Sequence, residues 1–261
     1  MASQRQTNRR VYSSRGIVAA YARRRLSEVE RSVLEELRPA VEGRRALEVG
    51  CGAGAVTREL LGMTESVVGL DVSPAMVAYC RQTFSSGTFV VGDLGDLSSF
   101  EDASFDVLVA AANVVDVAAH EERPHVLREW RRVLVDGGLV YLSTHNRTST
   151  FALEQARRGP RLGLSGAAHR RARALAAYLV GTVNHRRLAR RQVFEPEYAI
   201  INDSAHRWSL LHHYITRDAQ RRELEASGFE LVSVRGSDGT VLAPDDDDAA
   251  FTELHYVARA V

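Results

Sequence analysis

The sequence predicts an α/β fold, a parallel sheet covered by helices on both faces. Three observations carry this. From Arg45 onward, short apolar runs of strand length alternate with helical patterns, as successive βα units require. A glycine-rich run, Glu48-Val49-Gly50-Cys51-Gly52-Ala53-Gly54, stands between the first strand of that series and its first helix. The fourth strand pattern, 105–112, is apolar at nearly every position, which fits a strand buried on both faces.

The elements follow in order. Residues 1–15 read as a mobile arm, polar and basic at its start. A helix then begins at a capping box of Ser27 and Glu30, with Leu26, Val29, Val33 and Leu37 as its apolar stripe, and Pro39 falls where it should stop. Residues 46–49 form the first strand and 57–61 a helix. Residues 67–72 form the second strand, and Ser73-Pro74 supplies an N-cap and an N1 proline for the next helix. Residues 88–91 and 105–112 are the third and fourth strands. Residues 122–134 are helical, Asp136-Gly137-Gly138 is a turn, and 139–144 is the fifth strand. Residues 147–207 break the rhythm and read as a mostly helical insertion with an extended piece near 198–201. Thr216 caps a helix ending at Gly228, and 229–235 and 251–260 are the last strands. The acidic run 245–248 between them reads as a solvated turn.

Length and composition bound the function. A chain of 261 residues suits one large domain, or a domain with a sizeable insertion. With a net charge of +1, no global field draws the whole molecule to nucleic acid or membrane. Every basic residue is Arg, so neither a P-loop lysine nor a Schiff-base lysine exists here. Two cysteines, Cys51 and Cys80, are too few for a disulfide framework or a Cys-rich zinc site. No apolar run reaches membrane-spanning length, and no apolar stretch follows the basic residues at the start. A cytoplasmic location is therefore expected.

The glycine run places a ligand. At a strand-to-helix turn the backbone must come close to what it binds, and alternate glycines leave room. Alone, the run also satisfies the loose dinucleotide pattern G-x-G-x-x-A, so a nicotinamide cofactor stays open. Asp71 ends the second strand, about twenty residues beyond the first glycine, where a carboxylate can accept both ribose hydroxyls of either ligand. Gly92-Asp93-Leu94 follows the third strand and can meet the amino edge of adenine. Asn113-Val114-Val115-Asp116 follows the fourth strand, and the run from Trp130 to Leu139 leads into the fifth.

Taken together and in this order, these motifs over residues 40–145 resemble the class I S-adenosylmethionine-dependent methyltransferase family, and the final 251–260 segment resembles its last β-hairpin. The resemblance implies a Rossmann-like, seven-stranded, mostly parallel sheet with one antiparallel strand. It implies S-adenosyl-L-methionine as cofactor, with Gly50, Cys51, Gly52 and Gly54 along its methionine part and Glu48 near the amino group. Asp71 would hold the ribose, Val72 and Met76 would flank the adenine, and Asp93 and Leu94 would meet its edge. Residues 111–113, including Ala112 and Asn113, would lie beneath the sulfonium. The corresponding division is an N-terminal arm and helix over the cofactor (1–40), a binding core (41–146), a helical insertion or acceptor lid (147–214), and a C-terminal part of the core (215–261).

The acceptor side is less marked. Tyr12 and Tyr21 lie in the region that covers the cofactor in similar enzymes. Tyr21 is assigned to the cofactor and Tyr12 to the acceptor, although either would also serve as a packing aromatic. His145, just after the fifth strand, is a candidate general base or a hydrogen-bonded loop histidine. His206 is a second candidate base. Asp203, three residues before it, could pair with it on one helical face, and Asp203, His212 and Tyr214 suit a pocket wall or an interface. No metal motif is present. The insertion is rich in Arg, but Ala172, Leu175 and Leu179 make an apolar stripe, so much of the charge reads as a solvated face.

The expected activity is methyl transfer by in-line displacement to an N or O atom of a small-molecule acceptor. By fold-level resemblance this is a decorating enzyme of natural-product or antibiotic biosynthesis. A peptide or RNA-base acceptor is the alternative within that class. A nicotinamide-binding oxidoreductase and a catalytically silent binding protein of the same fold are the alternatives outside it. Neither a membrane partner nor nucleic acid is expected; a homodimer is allowed.

Overall fold

A computed structural model describes residues 10–163 and 168–261; the arm expected over 1–15 lies outside the described residues up to position 9. The sheet is built from β1 (Ala46–Val49), β2 (Val67–Asp71), β3 (Thr88–Val91), β4 (Phe105–Ala110), β5 (Leu134–Asn146), β9 (Phe229–Gly236) and β10 (Glu253–Ala260), with β6 to β8 in the insertion. The core order is β3-β2-β1-β4-β5-β10-β9. Pairings among β1 to β5 are parallel, and β10 runs antiparallel to both β5 and β9. This is the expected seven-stranded sheet with one antiparallel strand. Strand order reverses between β1 and β4, so a crevice opens beside the carboxyl end of β1, where the glycine run begins.

Helices cover both faces. On one, α2 (Glu28–Val41) and α3 (Ala55–Leu61) pack Val33, Leu37 and Leu60 against Val107 and Val109 of β4. On the other, α5 (Arg123–Val133) and α8 (Arg217–Ala226) pack Trp130, Leu127 and Leu224 against Leu108 and Ala110. Successive β4 residues from Val107 on thus enter opposite cores, which is why the strand is apolar at each of those positions. Helix α4 (Pro74–Thr83) begins as expected, with the Ser73 hydroxyl accepting from the Met76 N–H. The Ser27–Glu30 capping box is formed in full.

Five expectations change. Helix α2 runs two residues past Pro39, because a proline in the last turn forgoes only one hydrogen bond there. Asp136-Gly137-Gly138 lies within β5 as an irregularity: β4 pairs with Leu134 and resumes at Leu139, and Gly137 takes a φ of 78°. The insertion holds the extended piece expected at 198–201 and two further strands that were not expected. After α6 (Thr150–Arg158) and α7 (Ala168–Leu188) come β6 (Val193–Phe194), β7 (Tyr198–Ile201) and β8 (His212–Ile215). Strand β8 pairs with His145 and Asn146 at the end of β5, beyond the point where β4 stops. Asp248 in the acidic run is buried: it accepts from Thr148 Oγ1 and lies 3.6 Å from Arg217 Nε, tying the loop after β5 to the C-terminal segment. Finally, the Leu175 and Leu179 stripe of α7 is not packed into the core: among the described residues the two stay 44% and 55% exposed.

Candidate active site

The parallel strands end on one edge of the sheet, and a cavity open to solvent lies there. Gly50 and Gly52 after β1, Asp71 and Val72 after β2, Met76 of α4, and Gly92 and Leu94 after β3 form its floor and one side. Ala112 and Asn113 after β4 form another side, in left-handed backbone at φ 59° and 58°. Two consecutive non-glycine residues in that region are strained, as segments holding ligands often are. Tyr12 and Tyr21 close the remaining side, with rings 6.1 Å apart. Helix α1 (Arg15–Tyr21) and the residues before it are tied down by Ser73, whose hydroxyl donates to the Tyr12 carbonyl at 3.3 Å.

A continuation at the end of β1 is lined by Tyr21, Arg24, Glu48, Cys51, Gly52 and Ala112. Burial pushes the Glu48 carboxyl up to about 8, although the Thr57 hydroxyl donates to it. Asp71 is also raised by burial, against the Gly52 and Ser73 N–H groups, each donating to it at 2.8 Å. Asp93 lines an adjoining space with Val72 and Leu94, and accepts from the Gly95 N–H at 3.0 Å.

The three glycines differ in what requires them. Gly54 lies outside the cavity wall; it caps α3 at φ 82°, and a Cβ there would sit 2.2 Å from the Phe84 ring. Gly50, at φ 72°, faces Val114 of the next strand end, whose methyl would lie 2.5 Å from an added Cβ. Gly50→Ala is therefore expected to destabilise the fold by about 1–3 kcal/mol, with partial recovery when Val114→Ala is added, as read from urea unfolding. A wild-type midpoint for Gly50→Ala would refute this packing role.

A second cluster adjoins the cavity through Asn113. Asn113 Nδ2 donates to Glu253 Oε2 at 2.9 Å and lies 3.3 Å from His145 Nε2. Asn113 Oδ1 is buried without a partner among the described residues. On its other side His145 Nδ1 donates to Asp116 Oδ2 at 2.7 Å. Asp116 is buried and also accepts from the His145 N–H, the Thr144 hydroxyl and Arg123 Nη1. Burial by itself would lower His145, but the hydrogen bond and charge of Asp116 outweigh it and hold the imidazole above its ordinary value. About a fifth of the His145 side chain stays exposed.

Strand β8 adds the remaining groups. His145 stacks on Tyr214 with ring centres 4.6 Å apart and on His212 with centres 5.5 Å apart. Asp203 accepts from the Tyr214 hydroxyl at 2.9 Å and from His212 Nδ1 at 2.8 Å, and the neighbouring His212 and His145 hold it well below the usual carboxylate range. The expected Asp203–His206 pair is not formed. Residues 205–207 make a tight turn, not a longer helix, and His206 sits over Tyr12 at 4.9 Å and near Tyr21 at 6.2 Å. His206, Arg207 and Trp208 are all left-handed, at φ 49°, 58° and 61°. His206 is lowered by burial below its ordinary value.

Sequence reasoning missed Arg24, Asp116, Arg123 and Glu253 as site groups. Asp116 was visible in the run after β4 but carried no pattern that assigned it a role. Arg24 stands in a row of three arginines that look alike. Glu253 reaches Asn113 only because β10 lies next to β5.

Residues 47–142 match the methyltransferase domain family. This central segment is thus a methyltransferase domain, of the kind that uses S-adenosylmethionine. Among curated relatives it is 33% identical over 127 residues to a ubiquinone biosynthesis O-methyltransferase of Xanthomonas axonopodis pv. citri, covering 46% of this chain and 51% of that one. A Xanthomonas campestris pv. campestris protein of the same name is 32% identical over 122 residues, 44% of this chain and 49% of that one. The chain thus spans about half the length of the curated relatives it matches. Its fold is shared with the CcbJ methyltransferase of Streptomyces caelestis, at 18% identity and a TM-score of 0.60, covering 96% and 98% of the two chains. It is shared equally with an S-adenosylmethionine-dependent methyltransferase of Mesorhizobium loti, at 19% and 0.56, covering 88% and 97%.

The residues present fit the cofactor of this family. The cavity is lined mostly by apolar groups, with a few polar ones. Asp71 stands at a strand end, where a diol would meet it. Glu48, a carboxyl that can give up its proton, and Arg24 lie at the other end, suited to an amino group and a carboxylate. The unpartnered Asn113 Oδ1 awaits a donor. One consequence is measurable. An ammonium group beside Glu48 favours its ionised form, so S-adenosylhomocysteine binding at pH 7 is expected to release close to one proton. At pH 9, above the Glu48 value of about 8, release should vanish. Calorimetry in buffers of different ionisation enthalpy checks this, and equal proton release at both pH values would contradict it.

Proposed function

We propose that this chain methylates an oxygen, or an unprotonated nitrogen, of a small-molecule acceptor. The observation that carries this is the meeting of the cavity wall and the His145–Asp116 pair at one residue, Asn113. S-adenosylmethionine, when bound, supplies a methyl group already activated by the sulfonium charge. The protein's part is alignment, dryness and proton handling, of which alignment alone is worth several kcal/mol. Tyr12 and Tyr21 wall the cavity, and His206 packs on both rings. Asp116 fixes the His145 tautomer with the proton on Nδ1, leaving the Nε2 lone pair toward Asn113. A hydroxyl displacing that long 3.3 Å contact would give its proton to Nε2. An amine acceptor would need only Asp203, His212 and Tyr214 for orientation. Decoration of natural products remains the reading of its biological setting.

Asp71→Ala tests the cofactor side. A lost hydrogen bond to a charged group costs about 1.5–3 kcal/mol, so S-adenosylhomocysteine affinity should fall about tenfold to a hundredfold. Unchanged affinity by calorimetry would reject the ribose role.

A further inference from the structure

Helix α7 is apolar where it should be solvated. Its central residues 174–183 carry no charge, whereas Arg170, Arg171 and Arg173 precede them and Arg186, Arg187, Arg190 and Arg191 follow. A helical stretch apolar all round needs cover all round. One side has it: Gly181 is buried against Trp208, and His185 lies 4.8 Å from that ring. On the other side Leu175, Leu179, Val180 and Val183 are 44%, 55%, 44% and 48% exposed. Charge says what covers them. Between Glu154 and Glu195 the sequence has ten arginines and no acidic residue, in a chain of net charge +1. A second copy of this helix is disfavoured, because both ends carry arginines and like charges would meet whichever way the two ran.

We propose that this face seats the protein on a bilayer bearing anionic headgroups. The four exposed side chains enter the boundary between headgroups and acyl chains, and the flanking arginines reach lipid phosphates. The uncharged stretch, about 15 Å long, is far too short to span a bilayer, and no helix among the described residues is long and apolar enough to cross one. The expectation of no membrane partner rested on the net charge of +1 and the lack of a spanning segment; a local basic face escapes the first, and a helix lying in the surface plane does not need the second. Docking would also bear on the site, since Trp208 ends the turn that holds His206 over Tyr12.

Flotation of the full chain tests this, with vesicles of phosphatidylcholine alone and of phosphatidylcholine with about one-third phosphatidylglycerol. The protein should float only with the anionic vesicles, and less at high salt. The double variant Leu179→Glu, Val183→Glu should not float while keeping the wild-type melting point, since both positions are exposed. Arg186→Gln and Arg187→Gln should each lower partitioning about fivefold. No flotation on anionic vesicles, or flotation unaffected by the Glu variants, would overturn the proposal. So would light scattering that shows a wild-type dimer split by those variants without vesicle binding. Tighter binding to an RNA probe than to vesicles would overturn it as well.

Discussion

His145→Ala is expected to lower turnover of a hydroxyl acceptor about a hundredfold or more, with S-adenosylhomocysteine affinity unchanged. The imidazole lines no part of the cofactor cavity, yet it touches Asn113, which does. Its loss should therefore fall on kcat and leave cofactor binding alone. Asp116 sets the pH at which the base works. It holds His145 above the ordinary value, so activity should rise with pH through a limb above about 6.5. Asp116→Asn should move that limb to lower pH while reducing the plateau, because the ring loses its fixed orientation. The same pair affects stability. The folded chain keeps the His145 proton to higher pH than the unfolded chain, so the contribution is complete below about pH 6.5 and is lost as pH rises through the folded-state value. Full activity in His145→Ala would show that the acceptor needs no base from this residue.

Arg123→Ala should destabilise the fold by about 3–5 kcal/mol. Arg123 is wholly buried, and its guanidinium is engaged on every side. It donates to Asp116 at 3.2 Å, to Glu223 at 3.0 Å, to Gln220, and to the Val115 carbonyl at 3.3 Å. Alanine would leave a cavity and strand the buried Asp116 charge. Pairing Arg123→Met with Asp116→Asn removes that charge and fills much of the space, so it should regain part of the loss. Urea unfolding measures both, and a cost under about 1 kcal/mol for Arg123→Ala would mean that the site is solvated.

The sheet was legible because its signals are local. The run before Gly50, the Ser73-Pro74 start and the nearly all-apolar 105–110 strand each follow from neighbours in sequence. Strand β8 was not legible: His212-His213-Tyr214 lacks the usual alternation, because all three side chains are buried among polar partners. Asp116 acquires its role only from Arg123, Thr144 and His145, which fold brings together. Asp203 was picked out correctly as part of a polar cluster but given the wrong partner, since its spacing to His206 assumed a helix that the left-handed turn replaces. The Leu175 and Leu179 stripe was seen as well, but periodicity gives a face without saying what it faces.

The central claim is that the crevice beside β1 holds S-adenosylmethionine. The melting point of the intact protein, alone and with S-adenosylhomocysteine or NAD, tests it most directly, because a ligand bound to the native state raises it. A rise with S-adenosylhomocysteine and none with NAD is the predicted result; a rise with NAD alone would contradict the account.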